Sequence, residues 1–495
     1  MSRGGKHGNR KYGIRVPELT ALIIQIAVSV VLIYKLVEFD AVPARQTVGV
    51  GFLLLAFAAA AFIGQFFGYN RRLLRITACL FSIVVIILSV LIMSCLKGSD
   101  DFVEEITQDN GEKYSAAVIV SAQSPYQKVE ELTGVRFAYV KKPESKYVNE
   151  CVKEVISMLG PMRARHAKNV SALADQLYND RCDAIIIDEA TRAQIVESHP
   201  DFEEKTRTIW ALNVNHPIAK KGSRIDVTKN SFNVYLCGSD SRYSVEEVAR
   251  NDVNMIVTVN PTTHQILLTS IPRDYYVKLA SYDGMDKLTH AGTYGIQESL
   301  ETVEQFTGLK MDFYVKVSFA SLVYLVDAIG GIDVESDRAF TAWTNESVHI
   351  QEGLNHLDGV SALAYARERK AYEEKDIHRS RNQAQVMRAI AWKASSKRFI
   401  IHYTDMLEAL SKGMITNMSD RQIKSLIKLQ MHTHAKWDIR DVQMTGTETR
   451  TDQCYSAQGN DLIILEPDEA SVQEALKTIR EFMSGEIDIS KSKEE

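Results

Sequence analysis

The chain has 495 residues, 58 basic and 63 acidic side chains, and a formal net charge of -5. That length allows two or three domains, and six cysteines without close spacing argue against a dense disulfide framework or a zinc site. The hydrophobic fraction of 45% is ordinary, but it is concentrated near the N-terminus.

The first 16 residues form a basic tail with Arg3, Lys6, Arg10, Lys11 and Arg15. Three apolar runs follow within residues 17–96: Pro17 to Leu36, Thr47 to Gly68 and Leu73 to Leu96. Each reaches the roughly 20 residues a helix needs to cross a bilayer core, and three such runs are not a cleaved signal peptide. The first connection carries Glu38, Asp40 and Arg45, whereas the second holds Arg71 and Arg72, with Arg75 just beyond. Positive charge marks the cytoplasmic side, so the tail and second connection are expected inside. Three crossings then place the chain after about Leu96 outside the cell membrane.

Cys79 and Cys95 fall in the third run, leaving Cys151, Cys182, Cys237 and Cys454 beyond it. A Cys151–Cys182 pair stays open, and the triplets at Asn169, Asn345 and Asn417 are assigned no role. After a polar junction (97–113) comes an α/β pattern over 114–211. Its expected strands are 135–140 and 182–188, and its expected helices are 145–159 and 171–178. It carries no catalytic constellation and reads as a structural or binding domain. Residues 212–230 read as a linker.

A second α/β unit is expected over 231–485, before a charged tail (486–495). Its strands are expected at 232–238, 253–260, 265–271 and 313–318, with two more at "WDIRDVQM" and "DLIILEP". Helices are expected at 295–306, 319–329, 358–365, 379–393, 420–431 and 470–483. Mixed strands with intervening helices predict a layered sheet–helix domain.

The strands stop at charged residues. Strand 232–238 runs into Asp240, the next is preceded by Arg250 and Asp252, and 265–271 leads to Arg273 and Asp274. Ligands gather at such strand ends. Asp240 and Asp252 can supply hard oxygen ligands to Mg²⁺, or each simply caps a turn or opens a strand. Arg273 can instead form a buried salt bridge to Asp274 or Asp240.

The segment "AYARERKAYEEKDIHRSRNQ" (364–383) gathers Arg367, Arg369, Lys370, Lys375, Arg379 and Arg381. Interleaved acids permit a solvated, ion-paired face; the alternative is a cradle for a phosphate-rich anion. If the preceding helix frays near Tyr365, Arg367 and Arg369 share a face of an extended chain and Glu368 points away. If it continues, the two arginines diverge by about 200°. Arg379 and Gln383 share a helix face. Helix 319–329, apolar on most faces, is either core or a wall for a hydrocarbon chain.

In order, the motifs are "GSDSR" (238–242), "RNDVNMIVTVNP" (250–261), "LLTSIPRD" (267–274), "DKLTHAGTYG" (286–295), "VDAIGGIDV" (326–334), "LDGVSALAYARER" (357–369) and "DIHRSRNQAQVMRAI" (376–390). Together they resemble the LytR–CpsA–Psr family of cell-envelope phosphotransferases. The three spans and small intervening domain resemble its capsule-associated, CpsA-like branch.

The resemblance implies a membrane-anchored enzyme of the Gram-positive type. Such an enzyme moves a glycan phosphate, here capsular polysaccharide, from a polyprenyl-pyrophosphate carrier to peptidoglycan. It implies Mg²⁺ (or Mn²⁺) on Asp240 and Asp252. It assigns the pyrophosphate to Arg250, Arg273, Arg367, Arg369, Arg379, Gln383 and Lys287, with Arg273, Arg369 and Asp376 catalytic. Asp376 is the candidate to assist the acceptor hydroxyl. Partners implied are the polyprenyl (pyro)phosphate lipid, lipid-linked polysaccharide, peptidoglycan, the membrane and other capsule-assembly proteins.

Two positions depart from the family pattern: the second arginine of the last motif stands at Arg381, and Thr289 replaces an asparagine near Lys287. Other classes remain: a membrane-bound regulator of capsule production, or a lipid-pyrophosphate binder or pyrophosphatase without transfer. The tail lacks a nucleic-acid fold, which argues against nucleic acid as a partner.

Overall fold

In this computed structural model the described residues are 14–40, 42–67, 71–107, 111–140, 146–167, 170–218, 221–240, 245–394, 413–433 and 435–486. Most of the basic tail, the charged C-terminal tail, Asn169, Ser241 and Arg242 lie outside them. The chain divides into two compact units, Met1–Glu105 with Asp420–Ala435, and Ile106–Ser419 with Lys436–Glu495.

The first unit holds helices Val16–Phe39, Ala44–Phe67 and Arg72–Thr107. All three are long and apolar enough to cross a membrane, the third over Arg72–Gly98. Their packing is inverted relative to a water-soluble bundle. Gln25, Ser29, Gln65, Ser82 and Ser89 are buried, while Ile23, Phe52, Leu53, Leu73 and Leu88 are exposed. Polar groups facing the bundle interior and aliphatic groups facing outward suit a hydrocarbon surround. A Cβ at Gly64 would collide with Ala78, so the second and third helices touch closely there. Glu18 ties the first helix to Arg75 of the third at 2.8 Å.

The second unit contains two sheets. The first is five-stranded, in the order Arg163–His166, Arg136–Tyr139, Ala184–Asp188, Glu112–Ser121, Thr206–His216. Both faces are covered, which explains the unbroken apolar run Ala116–Val120. Ala117 and Ile119 pack on Leu173, Leu177 and Ile195. Ala116, Val118 and Val120 pack on Val148, Cys151 and Val155. Cys151 and Cys182 belong to these opposite faces and are free thiols, so the open disulfide pairing is not formed. Residues 212–216, read as the start of a linker, are strand: Leu212 pairs with Ala116 and His216 with Glu112.

The second sheet is six-stranded. Its order is Met414–Thr416, Phe313–Ser318, Phe232–Ser239, Asn251–Asn260, Gln265–Ser270, Asp438–Gln443. One face carries Tyr235, Ile256 and Leu267 against Leu300 and Val303 and against Leu476, Ile479 and Phe482 of the C-terminal helix. The other carries Leu236, Met255 and Leu268 against Ala384 and Met387. The result is a layered α/β/α domain with a mixed sheet, as the pattern of elements predicts.

Helix Phe319–Ala328 is not core: only Ser321 and Val326 are buried, and Tyr324 is exposed. It crosses helix Gly359–Arg367 closely, because a Cβ at Gly359 would meet the backbone of Val323.

Candidate functional site

Strand direction builds the site. Strand Phe232–Ser239 ends at Asp240, and its antiparallel neighbour starts at Asn251, so Arg250 and Asp252 share that end. Strand Gln265–Ser270 runs antiparallel to that neighbour and delivers Arg273 and Asp274 to the same rim. Strand Phe313–Ser318, parallel to Phe232–Ser239, adds Phe319.

Across this rim lies helix Asp376–Ala394, whose Gln383 Nε2 donates to the Asp252 carbonyl at 3.5 Å. The preceding helix ends at Arg367, and Glu368 is extended (φ -67°, ψ 131°). The helix thus runs two residues past Tyr365, yet both arginines reach the site while Glu368 turns inward and is buried.

One cavity of about 910 Å³ is lined by Asp240, Arg250, Asp252, Arg273, Asp274, Lys287, Arg367, Arg369, Asp376, Arg379 and Gln383. Every residue assigned to the site from sequence is therefore on its wall. Lys287 is included: its Nζ stands 3.5 Å from Asp274, and the Thr289 departure does not displace it. Arg381 is the exception within the charged segment. It is half exposed, pairs with Glu374 and donates to Gln443, so for this residue the solvated-face reading holds.

The cavity also has walls that the sequence reading lacked. Lys370, Lys375, Tyr372 and Trp343 line one side; Val196 and Pro200 come from the first-sheet domain; Glu448, Arg450 and Asp461 come from the hairpin after the second sheet. Lys370 and Lys375 lie in the charged segment and were open to inclusion. Trp343 carries no local signal, although Arg369 stacks over its ring at 5.4 Å and Lys370 at 4.6 Å. Arg367 stacks on Phe319 at 4.9 Å.

Charges are arranged as alternating pairs. Arg250 donates to Asp240 at 3.1 Å and Arg273 to Asp252 at 2.8 Å. Asp376 Oδ1 forms an ion pair with Arg379 at 2.7 Å and lies 3.8 Å from Arg273, and its Oδ2 lies 3.9 Å from Arg369. Burial pushes the Asp240 carboxyl above its ordinary range, helped by the charge of Asp252. Burial acts on Asp252 in the same direction, but Arg273, Arg250 and Arg379 outweigh it and hold that carboxyl well below the ordinary range. Burial and the repulsion of Arg273 lower Arg379. Among the described residues, the Nε groups of Arg273 and Arg379 are buried and make no hydrogen bond.

Guanidinium groups converging at a sheet edge, with donors to spare, suit a compact polyanion. Such a rim defines an anion-gripping α/β protein. The chain belongs to the LytR–CpsA–Psr family, whose model matches residues 189–478.

Among relatives, a polyisoprenyl-teichoic acid–peptidoglycan teichoic acid transferase TagU of Bacillus mycoides (strain KBAB4) is 35% identical over 196 residues. That match covers 39% of this chain and 63% of the relative, so it spans less than two thirds of that protein. The transferase of the same description, TagT, of Bacillus subtilis (strain 168) is 33% identical over 236 residues, covering 46% of this chain and 71% of that one. The crystal structure of B. subtilis TagV is similar at 28% identity and a TM-score of 0.44, over 52% of this chain and 98% of that one.

Proposed function

We propose that this chain is a membrane-anchored phosphotransferase acting outside the cell membrane. It would move a glycan phosphate from a polyprenyl-pyrophosphate carrier to a hydroxyl of peptidoglycan. The observation that carries this reading is the convergence of Arg250, Arg273, Arg367, Arg369 and Arg379, from four separate stretches of chain, on one cavity that also holds Asp240 and Asp252. The two relatives named above are both transferases of a polymer to peptidoglycan. The three N-terminal helices and the extra domain of the CpsA-like architecture favour capsular polysaccharide as the polymer.

The acceptor oxygen attacks the phosphorus that bears the glycan. That forms a new P–O bond and breaks the one to the bridging oxygen, which leaves with polyprenyl phosphate. Such transfers depend on positioning and charge neutralisation more than on a covalent nucleophile. Arg273 and Arg379 would face the anion with buried Nε groups that make no hydrogen bond, while Arg367 and Arg369 are steadied by aromatic rings.

Asp240 and Asp252 fit a hard divalent cation: they are partly buried carboxylates close enough to repel, and the Arg250 and Arg273 contacts at 3.1 and 2.8 Å each fall on one carboxylate oxygen. Among the described residues no three ligating side chains cluster, but Mg²⁺ commonly takes two carboxylates and completes its shell with water and phosphate. Magnesium, or manganese in its place, would neutralise charge on the pyrophosphate. Asp376 lies among Arg379, Arg273 and Arg369, and it would receive the acceptor proton.

Phe319 lines the cavity, and Leu322, Val323 and Leu325 of the same helix are only half-buried, which supports the second reading of that helix, as a wall for the carrier's hydrocarbon. The test is transfer itself: the full chain in lipid vesicles, given a lipid-pyrophosphate glycan and a peptidoglycan fragment. Mass spectrometry of the glycan–peptidoglycan phosphodiester should detect product, and Arg273→Ala should abolish it. Release of glycan phosphate into water regardless of acceptor would instead favour the pyrophosphatase reading. Polymer attachment unaffected by Arg273→Ala would favour a regulator.

A further inference from the structure

Helix Asp420–Thr433 joins the two outermost strands of the six-stranded sheet, Met414–Thr416 on one edge and Asp438–Gln443 on the other. Yet it clusters with the three apolar helices, not with the sheet. Three contacts with them fall at the turn between the first two and on the helix ends beside it. Lys428 Nζ binds Asp40 Oδ1 at 2.8 Å, Lys424 lies over the Phe39 ring at 5.1 Å, and Gln46 Nε2 donates to the Met431 carbonyl at 3.1 Å. A turn between two membrane-crossing helices lies at a membrane surface, so this helix lies at that surface too.

Its sequence suits the location. Ile423, Leu426 and Ile427 fall on one side at spacings of three and four; Arg421, Lys424 and Lys428 fall on the other. No residue of the helix is buried. A helix with an apolar stripe opposite a basic stripe lies in the plane of a lipid surface, and anionic headgroups strengthen the attachment. The Asp40–Lys428 pair then fixes the helix against the membrane turn. We infer that Asp420–Thr433 is a second lipid-contacting element, an interfacial helix that sets Ile423, Leu426 and Ile427 into the outer bilayer surface. This rests on the three long helices crossing the membrane, and is independent of the reaction catalysed.

The test uses the full chain in vesicles of phosphatidylglycerol and phosphatidylethanolamine, with p-benzoylphenylalanine placed singly at Leu426, Ile427, Leu53 or Glu474. Leu53 is exposed on the second apolar helix and reports lipid; Glu474 is exposed on the C-terminal helix and reports background. After irradiation, mass spectrometry should find phospholipid adducts at Leu426 and Ile427 severalfold above Glu474. Asp40→Lys should lower those yields, and adding Lys428→Asp should restore them. Adducts at Leu53 with none above background at Leu426 and Ile427 would overturn the inference, as would adducts only to protein.

Discussion

Lys316 Nζ donates to Glu112 Oε1 at 2.7 Å, with side chains only 2% and 4% exposed, across the joint between the two sheets. Glu112 opens the first sheet, Lys316 lies within the second, and the other Glu112 oxygen accepts from the Ile296 amide at 2.7 Å. Gly295, at φ 107°, keeps its Cα hydrogen where a side chain would strike Glu112 and Tyr114. The small domain is therefore latched to the larger one, which is how Val196 and Pro200 come to wall the cavity.

Breaking this latch from one side should be costly. Lys316→Met leaves a buried carboxylate without its cation, an effect of about 3–5 kcal/mol for such pairs. Denaturant unfolding of the full chain in detergent should give a markedly lower midpoint for Lys316→Met, with a smaller loss when Glu112→Gln is added. An unchanged midpoint would mean that the pair contributes nothing to holding the domains.

Glu368 faces away from the anion but organises the arginines around it. Its Oε1 accepts from the amides of Arg369, Lys370 and Ala371 at 3.0, 2.7 and 3.0 Å, and its Oε2 from the Trp343 amide at 3.0 Å. Glu368→Gln turns a donor toward one of these amides. An unsatisfied buried group costs about 1–3 kcal/mol, so pyrophosphate affinity measured by calorimetry should fall by roughly 5- to 100-fold. Retained affinity would mean that Arg367 and Arg369 hold their places without it.

A pH effect should appear in the small domain. Asp183 accepts from the Arg136 guanidinium at 2.8 and 3.0 Å and from its amide at 2.8 Å. The Arg136 side-chain bond is the main cause of its lowered carboxyl. A carboxyl depressed by folding contributes stability above its unfolded value, 3.8, and loses it as pH falls through the lower folded value. Asp183→Asn should therefore destabilise at pH 7 and lose less than the parent on acidification below that point. Denaturation midpoints at pH 7 and in that acid range would reveal it; parallel curves would exclude the linkage.

Metal binding can be read without catalysis. Mg²⁺ should raise the thermal midpoint of the parent, and Asp240→Asn and Asp252→Asn should each abolish the shift, since a ligand that binds only the folded state stabilises by mass action. An equal shift in both variants would place the cation elsewhere.

Much of this was legible in the sequence because it is local. The strand ends at Asp240, Arg250 and Arg273 follow from short-range periodicity, whereas the helix end at Arg367 lies two residues beyond Tyr365, where fraying was one of two open alternatives. What was not legible came from afar or lacked a pattern. Strand Arg163–His166 is exposed at all four positions and has no apolar alternation to betray it. Trp343 and the hairpin residues Glu448, Arg450 and Asp461 reach the cavity only through tertiary packing. Helix Phe319–Ala328 is apolar in composition yet only partly buried and gives Phe319 to the cavity, a placement that composition alone does not reveal.

The displaced arginine motif makes the sharpest comparison. Arg379 and Arg381 are two residues apart on one helix, hence about 200° apart around it. Arg379 is buried on the cavity wall and holds Asp376, whereas Arg381 is half exposed and held by Glu374. Arg379→Ala removes a preorganised positive group from the site of charge development, for which losses of about 10²–10³ in rate are typical. Arg381→Ala removes a surface pair, worth about 0–1 kcal/mol in stability, and should leave turnover within a few-fold of the parent. Rates for both variants in the transfer experiment decide the matter: equal losses would mean that the anion is held from a different direction than the cavity implies.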